Sequence, residues 1–422
     1  MKRNSTQIVE GIDWTLVAMY VMFVCIGWMN VYAAVYNDAH SSIFDMSQKY
    51  GKQLIWIGTG FLLAIIILIV DVDFYTVFAW PIYVFSMFML VAVMFLGTTI
   101  SGSKSWFRIG EVGIQPAEFA KFAVNLALAK FLSNMDINMD KLATKIKSFL
   151  IILLPVVLIL LENETGVAMV YLVFILVLYR EGLSGNMLLL GFLGILLFAL
   201  ALVIDKIILI SVLSGIAVLF ILVIKKKLKN ILLVVSVLIL ACGAVVGTNY
   251  AFSHLHGYQK KRLDVFLGKG AAGEKTKSGY NVNQAKISIG SGGFTGKGFL
   301  QGTQTKYDFV PEQATDFIFC TIGEEWGFLG SAFIVIAFMF FIVRIVFLAE
   351  RQRSLFSRIY GYGVACIFFF HVLVNIGMTI GLVPVIGIPL PFFSYGGSSL
   401  WSFTILLFIF IKLDSSRLLI LR

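Results

Sequence analysis

Trp14–Tyr36 reads WTLVAMYVMFVCIGWMNVYAAVY, a run without a charged residue. It exceeds the roughly 20 residues a helix needs to cross about 30 Å of hydrocarbon. Lys2 and Arg3 precede it, but Asp13 adjoins it and the run is long enough to span. It therefore reads as a membrane helix rather than a cleavable signal. Comparable runs recur near 52–70, 74–97, 115–134, 147–161, 165–180, 185–204, 206–224, 229–250, 315–347, 358–383 and 390–412. Lipid cannot satisfy backbone polar groups, and the runs lack the strict alternation of barrel strands, so helices are the economical reading. The expectation is an all-α polytopic membrane protein with about twelve transmembrane helices. The run at 147–161 is short for a full crossing and meets Glu162-Asn163-Glu164-Thr165-Gly166, a candidate tight hairpin.

Composition points the same way. Of 422 residues, 59% are hydrophobic and 13% charged, with mean hydropathy +0.94. A soluble domain carries about twice that charge fraction. Cys25, Cys242, Cys320 and Cys366 are scattered through apolar runs without metal spacing and read as small buried hydrophobes.

Lys and Arg of the short loops set the orientation. With the N-terminus inside, inner loops collect Lys141, Lys145, Lys147, Arg180, Lys225–Lys227, Lys229, Arg344, Arg351, Arg353, Arg358, Lys412, Arg417 and Arg422. The short outer loops hold few: Lys52, Lys104, Arg108 and Lys206. An even number of spans then places both termini in the cytoplasm. The longest polar excursion, 251–315, falls outside although it is basic, as loops of about 60 residues translocate largely regardless of charge.

Five stretches carry candidate chemistry. Ile289–Gly298 (IGSGGFTGKG) is glycine-rich with one lysine, Lys297. Such a backbone approaches ligands closely and its amides can cradle an anion, although a plain surface loop has the same composition. Walker A spacing is absent. Lys306–Asp316 is a polar approach to a long apolar run, where Thr315 or Asp316 suits a helix cap. Pro116 fits a first helical turn, and Glu118 and Lys121 then share one face. A charge inside a span costs about 2.5–3.5 kcal/mol, so this pair either snorkels to the interface or faces a functional cavity. Glu162 and Glu164 flank the short outer turn, as cation or sugar ligands or simply solvated. Finally, Asn375–Ser399 (NIGMTIGLVPVIGIPLPFFSYGGSS) breaks the helix with three prolines and repeated glycines. Irregular backbone at membrane depth is tolerated where it lines a cavity or is buried in protein. These features suit an anionic lipid-linked substrate, and by themselves leave enzyme and transporter both open.

Asn375–Ser399 resembles the C-terminal signature of the SEDS family (shape, elongation, division and sporulation; RodA, FtsW and SpoVE) almost residue for residue. Gly102–Lys121 (GSKSWFRIGEVGIQPAEFAK) resembles that family's tryptophan-containing outer loop and the following helix. Ala285–Phe319 resembles its large outer loop, and Gly302–Thr305 (GTQT) is more like RodA than FtsW. The resemblance implies a SEDS-type helical bundle whose family core has ten spans. The surplus is then an inserted hairpin at 185–224.

It further implies a peptidoglycan glycosyltransferase that polymerises lipid II in complex with a class B penicillin-binding protein, a transpeptidase, at the bacterial cytoplasmic membrane. The RodA-like loop leans to elongation and cell shape rather than division. Positive charge must stabilise the departing diphosphate and a base must take the acceptor hydroxyl proton. The family's loop aspartate, six residues before a tyrosine, falls here on Glu274 before Tyr280, a departure in residue type, with Asp264 as the alternative. Trp106, Arg108, Glu118, Lys121, Lys286, Lys297, Gln304, Glu312 and Ser394 are the implied substrate-binding residues. Glu164 takes the place of the aspartate in the family's Q-P-D-x-G motif, without its proline. No cofactor follows from the residues; a divalent cation, Mg or Mn, is left open. No nucleic-acid partner is expected. A lipid-linked sugar flippase and a non-catalytic scaffold for the transpeptidase are the competing readings.

Overall fold

A computed structural model describes residues 11–36, 42–100, 102–110, 112–134, 137–223, 227–254, 277–307 and 309–417. The chain forms two bodies: one of Met1–Leu183 with Asn281–Arg422, the other of Ser184–Tyr280.

In the first body, α1 (Trp14–Val35) is capped by Asp13, whose Oδ1 accepts from Leu16 N at 3.1 Å. Then come α2 (Lys49–Ile69), α3 (Ala79–Leu96) and a small antiparallel sheet of β1 (Thr98–Ile100), β2 (Ser103–Ile109) and β3 (Val112–Ile114). Trp106 pairs with Thr98 and Phe107 with Ile114. Pro116 opens α4 (Pro116–Leu132), as its missing N–H costs nothing in a first turn. α5 (Leu142–Leu161) and α6 (Thr165–Arg180) follow, joined through Asn163 in the left-handed region (φ 65°). The expected short span at 147–161 is thus a 20-residue helix. It begins upstream, taking Lys145 and Lys147 into its first turns.

After α10 (Lys277–Ser291), of which this body holds residues from Asn281, come the single turn α11 (Thr303–Lys306), α12 (Ile318–Glu350), α13 (Leu355–Thr379) and α14 (Gly397–Ser415). α12 breaks its helical path at Gly327 (φ 63°, ψ −159°). The break lets the chain pass against Gly296, itself at φ 84°; a Cβ on either residue would collide with the other segment's backbone. The expected Thr315 or Asp316 cap is not what starts α12. Its N-cap is Phe317 without a side-chain bond, and the Thr315 hydroxyl turns back to the Glu312 carbonyl at 3.2 Å.

Among the described residues nine helices are long and apolar enough to cross a membrane. Adding α4, α6 and the shorter Gly185–Ala201 accounts for every expected segment. α4 sits at the centre. Its alanines at 117, 120, 123, 127 and 129 are buried, which lets α3, α5, α13 and α14 pack closely round it. Between membrane helices, such contact replaces the hydrophobic drive of a soluble core. Aromatic rings fill the rest: Phe23 stacks on Phe338 at 4.3 Å and Phe341 meets Phe368 edge-on at 5.1 Å.

The bundle end opposite the sheet is held by charge. Asp13 Oδ2 accepts from Arg344 at 2.6 Å, while Asp414 accepts from Arg351 and Gln352 at 2.6 Å each and from Arg417 at 3.2 Å.

The second body consists of α7 (Gly185–Val203), α8 (Lys206–Val223) and α9 (Leu228–His254). Residues 185–224 thus supply α7 and α8, which both pack on α9 around Ala201, Leu209 and Val245. Most of their other described apolar side chains face outward.

Candidate functional site

The irregular segment 380–396 organises the sheet-bearing end of the first body. From Ile388 to Ser394 it is largely buried in protein, and side chains from a neighbouring helix satisfy two of its carbonyls. Asn375 Nδ2 donates to Ile388 O at 2.8 Å and His371 Nδ1 to Pro389 O at 3.1 Å. Around it gather the pieces singled out in the sequence. Ser398 Oγ bonds Gly113 O of β3, and Gln53 accepts from Gly396 N. Gly166 of the outer turn abuts the Ile386 carbonyl, and the Lys286 side chain lies over Gly381. Ser394 Oγ donates to Thr315 O at 2.6 Å and accepts from Leu390 N, while Tyr395 N donates to Ala314 O. Ser394 is a buried clip between two backbone segments.

Glu118 and Lys121 neither snorkel nor line an open space. They are 2% and 1% exposed, and Lys121 Nζ lies 2.7 Å from Glu118 Oε2. The same nitrogen lies 3.2 Å from His371 Nε2 and 4.3 Å from the centre of the Phe403 ring. Ser402 Oγ donates to the Glu118 carbonyl. Residues of α13 and α14 thus close over the pair and turn it into an internal tie.

At the outer turn, Ser105 Oγ of β2 donates to Glu164 Oε1 at 2.7 Å, and Ser103 Oγ to Glu162 O at 2.6 Å. The Glu162 carboxylate is buried and neither oxygen has a hydrogen-bond partner among the described residues. Burial, then the neighbouring Glu164 carboxylate, pushes its pKa up to about 8. Glu162 therefore holds its proton at neutral pH.

The glycine-rich stretch forms a clasp on the first turns of α12 rather than a free loop. Lys297 N donates to Glu324 O, Gly298 N to Glu325 O, Phe328 N to Gly293 O and Leu329 N to Phe294 O. The amides of Gly292, Gly293, Gly296, Lys297 and Gly298 all bond protein carbonyls. The glycines admit a second backbone at close range, which the sequence pattern does not distinguish from a ligand. Lys297 Nζ is bonded to Glu324 Oε1 at 2.7 Å and to Thr303 Oγ1 at 2.8 Å.

Other expected residues remain open to solvent. Arg108 on β2 and Lys286 on α10 are exposed, and among the described residues neither has an acidic partner. Glu312 is exposed in the left-handed region (φ 59°) with Oε2 3.2 Å from Thr315 Oγ1. Gln304 is half-buried on α11. Trp106 is half-buried, its ring against Gly113. Glu274 and Asp264 lie outside the described residues. Among those described, no group of three or more His, Cys, Asp or Glu side chains stands ready to hold a metal ion.

Sequence reasoning missed His371 and Glu324. Both are polar residues inside apolar runs, the same signal that drew attention to Glu118 and Lys121.

The chain matches the pattern of the FtsW, RodA and SpoVE family, described as cell cycle protein, over residues 13–418. It is 30% identical over 432 residues to the peptidoglycan glycosyltransferase RodA of Treponema pallidum, covering 93% of this chain and 95% of that one. It is 31% identical over 373 residues to the peptidoglycan glycosyltransferase MrdB of Escherichia coli K12, covering 88% and 86%. Among solved structures, it superposes on a chain of a peptidoglycan synthase complex that coordinates polymerization and crosslinking. The TM-score is 0.70, with 26% identity and coverage of 96% and 98%. A variant of the rod shape determining protein RodA of Thermus thermophilus gives 0.62 at 25% identity, again covering 96% and 98%.

Proposed function

Because this chain belongs to the FtsW, RodA and SpoVE family, we propose that it is a peptidoglycan glycosyltransferase, polymerising lipid II into β-1,4 glycan at the outer face of the cytoplasmic membrane during cell elongation and shape maintenance. The observation that carries the reading is the gathering of the outer turn at 162–166, itself bonded to β2, of Lys286 and of the 312–316 segment on the irregular stretch 380–396, with β3 bonded to Ser398 just beyond it. In the reaction, the 4-hydroxyl oxygen of the acceptor sugar attacks the anomeric carbon of the glycan on undecaprenyl diphosphate. The bond from that carbon to the diphosphate oxygen breaks with inversion, and the diphosphate leaves with the electron pair. Glu274 takes the hydroxyl proton, and the exposed charges of Arg108 and Lys286 suit the diphosphate. Both termini are cytoplasmic in this reading. The partner is a class B transpeptidase, in keeping with the related chain solved in a synthase complex. Helices α7 and α8 are read as an insertion beside the family core.

A transporter needs a polar path through both leaflets. Inside this bundle Glu118 and Lys121 instead neutralise one another, and Asp13 pairs with Arg344 at one end. The scaffold reading rests on the glutamate at 274.

Purified protein with its class B partner, supplied with lipid II, is expected to form polymer, and Glu274→Gln to abolish it. Equal polymer from Glu274→Gln refutes the assignment of the base. Absence of polymer with passage of lipid II across vesicles favours the transporter.

A further inference from the structure

The Glu324 carboxylate is sealed from solvent, and donors from three segments close on it. Lys297 Nζ of the glycine clasp lies 2.7 Å from Oε1. From α11, Thr303 N and Gln304 N donate to Oε1 at 2.8 Å each and Thr305 N to Oε2 at 2.9 Å. From α10, Ser288 Oγ reaches Oε2 at 3.2 Å. A buried carboxylate is tolerated only with a counter-charge and filled lone pairs, and this one has both.

We propose that Glu324 is a positioning residue for the glycosyl transfer, and that Lys297 serves by neutralising Glu324 rather than by touching the diphosphate. The inference rests on the glycosyltransferase reading. A lone helical turn such as Thr303–Lys306 does not hold itself together. Its amides end on Glu324. Its other face is tied by Gln313, whose Nε2 donates to Thr305 O and to Ala34 O at 2.7 Å each. The neighbours of Gln313 are Glu312 and Ala314, and Ala314 O accepts from Tyr395 N in the irregular stretch. Gln304 is thus fixed between Glu324 and the segment that meets 380–396. The Lys297 ammonium, only a quarter exposed, is already spent on Glu324 and Thr303.

The two roles of Lys297 separate in a suppression experiment on the full chain with its transpeptidase partner. Lys297→Met leaves Glu324 buried without its counter-charge, and the KM for lipid II is expected to rise about tenfold. Adding Glu324→Gln removes the orphaned charge and keeps an acceptor for the α11 amides. The double variant is expected to return the KM to within about twofold of wild type. Glu324→Ala removes the acceptor, and hydrogen exchange at the Thr303–Thr305 amides should quicken about tenfold with a raised KM.

A double variant as impaired in KM as Lys297→Met makes Lys297 a substrate contact and overturns the proposal. So does a KM within about twofold of wild type in every variant that loses only folded yield, because that is a structural clasp and no more. If Lys297→Met yields no folded protein, the KM of the double variant alone decides on the same criterion. If the wild type forms no polymer, the glycosyltransferase reading fails separately. Exchange then judges the clamp, and unchanged protection in Glu324→Ala refutes it.

Discussion

Lys121 Nζ stands 3.2 Å from Nε2 of His371, and both residues are shut inside the bundle. The other ring nitrogen, Nδ1, faces the Pro389 carbonyl at 3.1 Å, and a carbonyl only accepts. Nδ1 therefore carries the proton and Nε2 accepts from the lysine. One chain of hydrogen bonds runs from Glu118 on α4 through Lys121 and His371 to the irregular segment. Lys121→Met is expected to cost about 3–5 kcal/mol, because Glu118 is left as an unpaired buried charge. The thermal midpoint of the purified protein reads this, and Glu118→Gln added to Lys121→Met should recover most of it.

The outer turn gives the protein a pH dependence of its own. The raised pKa of Glu162 means the folded state holds that proton more tightly than the unfolded chain does. Stability from this group is complete below about 4.5 and is lost as pH rises through about 8. The midpoint of wild type should fall across this window, and that of Glu162→Gln should fall less. Equal slopes would remove Glu162 from the explanation.

Gly327→Ala attacks the meeting of α12 with the clasp. The residue adopts φ 63°, ψ −159°, and its Cβ would strike the Gly296 amide. Backbone strain alone costs about 1–3 kcal/mol. The variant should show a lowered midpoint and faster proteolysis within 289–302.

Arg108→Gln and Lys286→Gln should do the reverse, touching function and sparing the fold. Both side chains are exposed, so stability should stay within about 0.5 kcal/mol of wild type. The KM for lipid II should rise several-fold at low salt, and the gap to wild type should narrow as salt screens the charge. A KM unchanged at every salt concentration would exclude both residues from the diphosphate site.

The spans were legible because a charge-free run such as Trp14–Tyr36 has few alternatives in lipid. The start of α5 was not, since Lys145 and Lys147 mark a loop and a helix end equally well. The small sheet escaped because β1 and β3 are three residues each, too short for alternation to show. Glu118 and Lys121 were visible as a pair, but their destination depended on His371 and Phe403, roughly 250 or more positions away in sequence. Three of the donors on Glu324 are backbone amides, which leave no trace in residue type. The glycines of 289–298 announced a close approach correctly in kind, but what approaches is α12 of the same chain.

The charged end of the bundle bears on the order in which the molecule is built. Asp13 caps the first helix, yet its ion-pair partner Arg344 lies 331 residues further on. Among the described residues, a chain emerging from the ribosome has only Leu16 N on that carboxylate until α12 arrives. Arg351 then bridges to Asp414 on the last helix. Closure of this end is accordingly a late event of biosynthesis, completed by the arrival of α14.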